Sequence, residues 1–278
     1  MRESGRIRHD NRAPTTRLEE MPMVSHTAAE ALPEWEAFAR AVQSRRPDAG
    51  TWCEGWTVHD VVIHNTGNAE ELARVLAAHA AGSPVPTRGF EEREAPYRAM
   101  PDAELWAAFV DRCEQLVETA EVIDTLSPLE AIGWTGRTVG PDFFLEHMRQ
   151  EMVLHRWDMT GDDATAIDML MRPWITRHSV RDVGLPLLAR GSRDIDFGPE
   201  GRIEARLRAP GTDDVLVVAE PDSSSIELVP PQGQATVESD PAVRVLFLWG
   251  RRPADPTRWH SSAGPEELGR LRALLAGY

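Results

Sequence analysis

The chain has no lysine: all 30 of its basic residues are arginine. That excludes Schiff-base chemistry and any mechanism with a lysine general base. Cysteine is almost as scarce. Cys53 and Cys113 are the only two, too few for a disulfide framework, and they fit a reducing cytoplasm. Positive charge is outweighed, with 45 acidic residues and a net charge of −15. A nucleic-acid partner needs a basic surface, and an acidic surface also repels anionic lipid. No apolar run reaches the roughly twenty residues that cross a bilayer. Residues 1–24 are polar and Arg-rich, without the apolar core of a secretory signal. They read as a disordered tail, with Met21 or Met23 as an alternative start. A Gly-rich phosphate loop, a CxxC pair and a G-x-S-x-G elbow are all missing, so nucleotide binding and serine-hydrolase chemistry have no support. Internal repeats and low-complexity tracts are missing too.

What is present suits an ordinary globular protein. The chain has 278 residues, of which 41% are hydrophobic, enough for one or two domains. Apolar residues at helical spacing (Leu32, Trp35, Phe38, Val42) predict a first helix over 25–45. Thr57, with Asp60 three residues on, predicts the capped start of a second, running to about Ala81. A long connection rich in Pro, Gly and Glu follows, from Gly82 to Pro101. A third helix opens at Asp102, with Leu105, Phe109, Cys113 and Leu116 as its stripe. A fourth begins near Pro141 and carries Phe144, Met148, Met152 and Met159. A further helical stretch, 164–188, is broken by Pro173 and Pro186. Four helices with one long crossover predict a four-helix bundle. After about residue 190 the period changes from helical to alternating, with strands expected from Arg202, Asp214 and Ser225 and helices over 241–249 and 265–275. The expectation is therefore α+β overall: a helical domain over 25–189 and a smaller α+β domain over 190–278.

The chemistry gathers in two of these helices. Glu151 and His155 are four apart, which stacks them on one helical face. His64 lies near the start of the second helix. Two imidazoles and a carboxylate with one open position make a catalytic zinc set. The flanking methionines turn the Glu151/His155 face inward, where a carboxylate is costly unless paired or metal-bound. Asp158, three residues past His155, is placed to hold that imidazole from behind; the other reading is a charge near the helix end. His147 lies about 12 Å along the axis from His155 and cannot share its metal, though a competing His147/Glu151/His64 set stays open. His59 turns off the face and reads as a surface residue. His178 and His260 show no partner pattern. Cys53 reads as a small residue packing a loop rather than as a nucleophile.

The segments WCEGWTVHDVVIH (52–64), EMVLHRWD (151–158) and VLFLWGRRP (245–253) resemble the mycothiol-dependent maleylpyruvate isomerase family, over about residues 25–278. The resemblance implies a DinB-like four-helix domain followed by a sterol-carrier-like α+β domain. It implies a metal set that maps onto His64, Glu151 and His155, a divalent ion such as zinc, and mycothiol as a borrowed thiol. The family directs a C-terminal-domain arginine towards the active site. Here that is Arg251 or Arg252, with Arg251 slightly favoured, as a bidentate partner for a substrate carboxylate. The alternative is two surface arginines neutralising a helix end. The resulting expectation is a cytoplasmic metal- and thiol-dependent enzyme, monomeric or weakly dimeric, acting on a small electrophile by cis–trans isomerisation or S-transfer. The alternatives are a mycothiol S-transferase of specialised metabolism or detoxification and a non-catalytic metal-containing binding protein.

Overall fold

The computed structural model describes residues 21–184, 188, 191–193 and 195–275. Most of the expected tail, the break at Pro186 and the domain boundary expected at 189/190 lie outside the described residues.

The first helix is not continuous. It is split into α1 (His26–Ala31) and α2 (Trp35–Gln43), because Pro33 has no N–H to continue the ladder and disfavours helix at the residue before it. The remaining long helices stand where their start signals place them. Helix α3 (Val58–Ala80) has the full capping box: Thr57 Oγ1 accepts from the Asp60 N–H, and the Asp60 carboxylate accepts from the Thr57 N–H. Helices α5 (Asp102–Ala120) and α6 (Phe143–Thr160) follow. These helices pack on one another around Trp35, Trp106 and Phe109, all 1% exposed or less. Trp35 stacks on Phe109 with ring centroids 5.0 Å apart.

Helix α6 ends on Gly161, at φ 67° and ψ −148°, a region open essentially only to glycine. A Cβ there would also lie 3.0 Å from Trp52 Nε1. Gly161→Ala is expected to cost about 1–3 kcal/mol from the backbone alone, read as a lower denaturant midpoint at unchanged slope.

Two elements inside the connections have no counterpart among the expected ones. Helix α4 (Phe90–Glu94) interrupts the Gly82–Pro101 crossover. The crossover is fastened to α3 by Glu71, fully buried, which accepts from the Arg88 backbone N–H at 2.7 Å and from its Nε at 2.6 Å. Gly67 lets α4 lie close, since a Cβ there would meet the Arg93 carbonyl at 3.0 Å. The second is a hairpin, β1 (Ile132–Trp134) and β2 (Arg137–Val139). Thr135 and Gly136 turn it, both at positive φ, as a right-twisted two-residue hairpin demands. After α6 come α7 (Ala164–Leu170), α8 (Pro173–His178) and a π turn at Ser179–Val183.

The C-terminal part carries β3 (Ile203–Arg208), β4 (Asp214–Glu220), β5 (Ser223–Val229), β6 (Val237–Ser239), α9 (Pro241–Leu248), β7 (Trp259–Ser261) and α10 (Pro265–Leu275). The sheet order is β5-β4-β3-β6-β7, with β3 and β6 parallel and the other pairs antiparallel. Ile203, Ala205 and Leu207 pair with Ala219, Val217 and Val215 and all are buried, so the alternation seen in the sequence puts one face against the core. The short strands β6 and β7 carry too few residues to show a period. The two parts are pinned together by Trp249, whose Nε1 donates to Ser179 Oγ at 2.9 Å, and by the Arg258–Asp162 pair at 3.1 Å.

Candidate metal centre

Helices α3 and α6 lie side by side and bring the three predicted ligands together. One ligand atom each from His64, Glu151 and His155 lies within 4.8 Å of the others, and all three residues are buried. His64 Nε2 and His155 Nε2 sit 3.2 and 3.3 Å from the same oxygen, Glu151 Oε2. Met148, Met152 and Met159 of the same α6 are wholly buried.

The far nitrogens are committed. His155 Nδ1 is 2.9 Å from Asp158 Oδ2, and His64 Nδ1 is 2.9 Å from Glu94 Oε1. With each Nδ1–H donating to a carboxylate, both Nε2 lone pairs face a carboxylate oxygen. Three electron-rich atoms then point at one place, which fits a cation between them, and carboxylate-backed imidazoles are the usual setting of a metal ligand. The acid–base shifts show the same demand for positive charge between these atoms, as a proton or as a cation. Burial would raise Glu151, but its bonds to His155 and His64 hold it well below the usual carboxylate range. Burial would lower His155, but Asp158 and Glu151 raise it. Asp158, against its own burial, is held down to about 2 by Arg251 and His155.

The ligands open into a cavity of about 890 Å³ lying between the helical part and the C-terminal part. Trp56 stacks on His155 at 5.6 Å and 9°, fixing the ring plane. Cys53 lines the same cavity, but burial and the Asp158 charge push its thiol up to about 11. It stays protonated near neutrality and makes a poor nucleophile. Six arginines also line the space: Arg93, Arg98, Arg137, Arg251, Arg252 and Arg272, a concentration of guanidinium on a chain of net charge −15. Arg93 is 4% exposed, and its Nε and Nη1 have no hydrogen-bond partner. Arg137 is pushed down to about 10 by burial.

The two C-terminal arginines have different surroundings. Arg251 forms a fork on Asp158, Nε to Oδ1 at 2.7 Å and Nη2 to Oδ2 at 2.6 Å. Arg252 stacks over Phe247 at 4.2 Å and is pushed down to about 10 by burial and by Arg272. Both line the cavity; Arg251 spends its planar face on Asp158, and Arg252 lays its own on Phe247.

His59 is paired with Asp102 at 2.7 Å, away from the ligands. His147 is not beside His155 but reaches Glu151 Oε1 from the other side, at 3.4 Å. His178 does have partners, His147 among them. Asn68, whose Nδ2 is 3.2 Å from His64 Nε2, is four residues after His64 and was readable from helical spacing. Glu94, Arg93 and Arg137 were not. They sit in α4 and the hairpin, and nothing local ties them to α3 or α6.

Residues 28–160 match the family model described as the mycothiol maleylpyruvate isomerase N-terminal domain. Two solved structures share the fold. One is a crystal structure of a histidine-to-alanine mutant of the mycothiol-dependent maleylpyruvate isomerase, 16% identical, with TM-score 0.55, covering 90% of this chain and 97% of its own. The other is a crystal structure of the mycothiol-dependent maleylpyruvate isomerase, also 16% identical, with TM-score 0.54, covering 87% of this chain and 95% of its own. No curated protein matches by sequence. Among the described residues, no helix is long and apolar enough to cross a membrane.

Proposed function

We propose, from the match of residues 28–160 to the mycothiol maleylpyruvate isomerase N-terminal domain, that the chain is a zinc- and mycothiol-dependent enzyme acting on a small anionic electrophile. The observation that carries the reading is the convergence of His64 Nε2 and His155 Nε2 on Glu151 Oε2, each imidazole backed by its own carboxylate. A divalent ion, held by these three residues, would supply Lewis acidity and lower the pKa of a thiol bound to it.

The protein's own residues do the rest. Asp158 and Glu94 fix the imidazole tautomers, and Trp56 packs against both rings. Cys53, held protonated, leaves the nucleophile to be borrowed. Arg252, Arg93 and Arg137 present guanidinium to the cavity, where a carboxylate on the electrophile would satisfy them. A cis double bond conjugated to a carbonyl of the electrophile would take up the thiolate at carbon, its π electrons moving onto that carbonyl. The resulting single bond would be free to rotate, and return of the electrons with loss of the same thiolate would restore the double bond as the trans isomer with no net change in atoms. In S-transfer, the alternative outcome, the carbon–sulfur bond would be kept and the adjacent carbon would take a proton from solvent.

The test is incubation of the zinc-loaded protein with mycothiol and cis-configured carboxylated electrophiles, maleylpyruvate among them, with products read by mass and by isomer. The expected result is turnover only when the thiol is present. Turnover independent of thiol, or none with any electrophile while zinc stays bound, would sink the catalytic reading.

A further inference from the structure

A second constellation of ligand-type groups lies outside the cavity. Glu146 comes from α6, His178 from the end of α8 and Asp182 from the π turn that follows. One carboxylate oxygen, one imidazole nitrogen and a second carboxylate oxygen lie within 4.8 Å of one another. His178 Nδ1 is 3.3 Å from Glu146 Oε2 and 3.5 Å from Asp182 Oδ2. The His178 side chain is 0% exposed, yet its Nδ1 has no hydrogen bond of acceptable geometry. A buried ring nitrogen aimed between two carboxylates, bonded to neither, is costly as it stands.

The opposite nitrogen explains which form the ring takes. His178 Nε2 is 3.5 Å from His147 Nδ1. With Nε2–H directed at His147, the Nδ1 lone pair faces the two carboxylates, the orientation of a metal-bound imidazole held by an outer partner. The backbone is shaped for this. The π turn at Ser179–Val183, a form that recurs at functional sites, brings Asp182 to His178. It is pinned by Ser179, whose Oγ donates to the Ile175 carbonyl at 2.7 Å and accepts from Gln150 and Trp249.

We propose that Glu146, His178 and Asp182 form a second divalent-cation site, separated from the His64/Glu151/His155 set by His147. One imidazole and two carboxylates suit a borderline first-row ion such as Zn²⁺, Co²⁺ or Mn²⁺, with water completing the shell. Glu146 is 32% exposed, which leaves the ion a way in. The nearby cations are Arg137, acting on Asp182 through space, and Arg181, 3.0 Å from Asp182 Oδ2. The Asp182 side chain is 12% exposed but that of Arg181 is 72% exposed, so the guanidinium can swing into solvent and leave the carboxylate to a divalent ion.

The test is a titration of the metal-stripped full chain with Co²⁺, read by visible absorption, with bound metal counted by mass spectrometry. The parent is expected to take two equivalents. Glu146→Gln and Asp182→Asn, which keep volume, are each expected to take one. His155→Ala also takes one, and His155→Ala with Asp182→Asn takes none. A parent holding a single equivalent that His155→Ala removes overturns the proposal and makes His178 a proton-bridged ion triad. So do two equivalents that survive both Glu146→Gln and Asp182→Asn. A single equivalent lost in Asp182→Asn but kept in His155→Ala upholds this site and sinks the metal assignment at the first.

Discussion

His155→Ala is expected to release the cation of the α3/α6 site and to abolish thiol-dependent turnover. The loss in affinity should exceed the roughly 10- to 100-fold that follows removal of an outer partner, because a direct ligand is gone and Glu151 Oε2 loses one of its two imidazole neighbours. His64→Ala should behave alike from the other helix, since its Nε2 faces the same oxygen. Asn68→Ala should be far milder, removing a side chain that touches His64 but supplies no ligand atom to the set. Metal content after dialysis, with near-ultraviolet dichroism to check packing, reads this directly. A His155→Ala protein that keeps its zinc in the Asp182→Asn background would refute the ligand assignment.

Arg251→Ala is expected to cost about 3–5 kcal/mol, the range for leaving one partner of a buried ion pair unpaired. The reason is Asp158: it is fully buried, and its carboxylate holds both the Arg251 fork and His155 Nδ1. Losing the guanidinium would unsettle the joint between the two parts of the chain and the His155 tautomer together, so denaturant midpoint and metal affinity should fall in one variant. Asp158→Asn separates the effects, removing the buried charge while keeping the shape.

The sign of the pH dependence follows from the lowered Asp158 value. The carboxyl stands at about 2 in the folded chain, against an ordinary 3.8. Its stabilisation is thus full above the ordinary value and disappears as pH falls through about 2. The size is about 2 kcal/mol for a shift of this extent. The carboxylate's share of the stability gap between parent and Asp158→Asn should close between about pH 4 and 2. A gap unchanged at pH 2 would show that the pair contributes through packing rather than charge.

The long helices, the change to strand periodicity in the C-terminal part and the grouping of Glu151 with His155 are all legible in the sequence. Each rests on short-range regularity. Thr57 and Asp60 cap α3 from three residues apart, Glu151 and His155 share a face because a helix repeats every 3.6 residues, and Ile203, Ala205 and Leu207 alternate because a strand repeats every two. Pro33 is equally visible, and a proline inside an apolar helical pattern is enough to break the first helix. Asp158 behind His155 follows from the same helical spacing, but the group behind His64 is settled only by the tertiary fold. Glu94 backs His64 from thirty residues away, through a five-residue helix whose place is set by Gly67 and Glu71. Arg251 reaches Asp158 across 93 residues. The local periods that announce a helix are silent on which distant carboxylate or guanidinium will be packed against it, because that choice is made by burial and charge pairing once the elements have met.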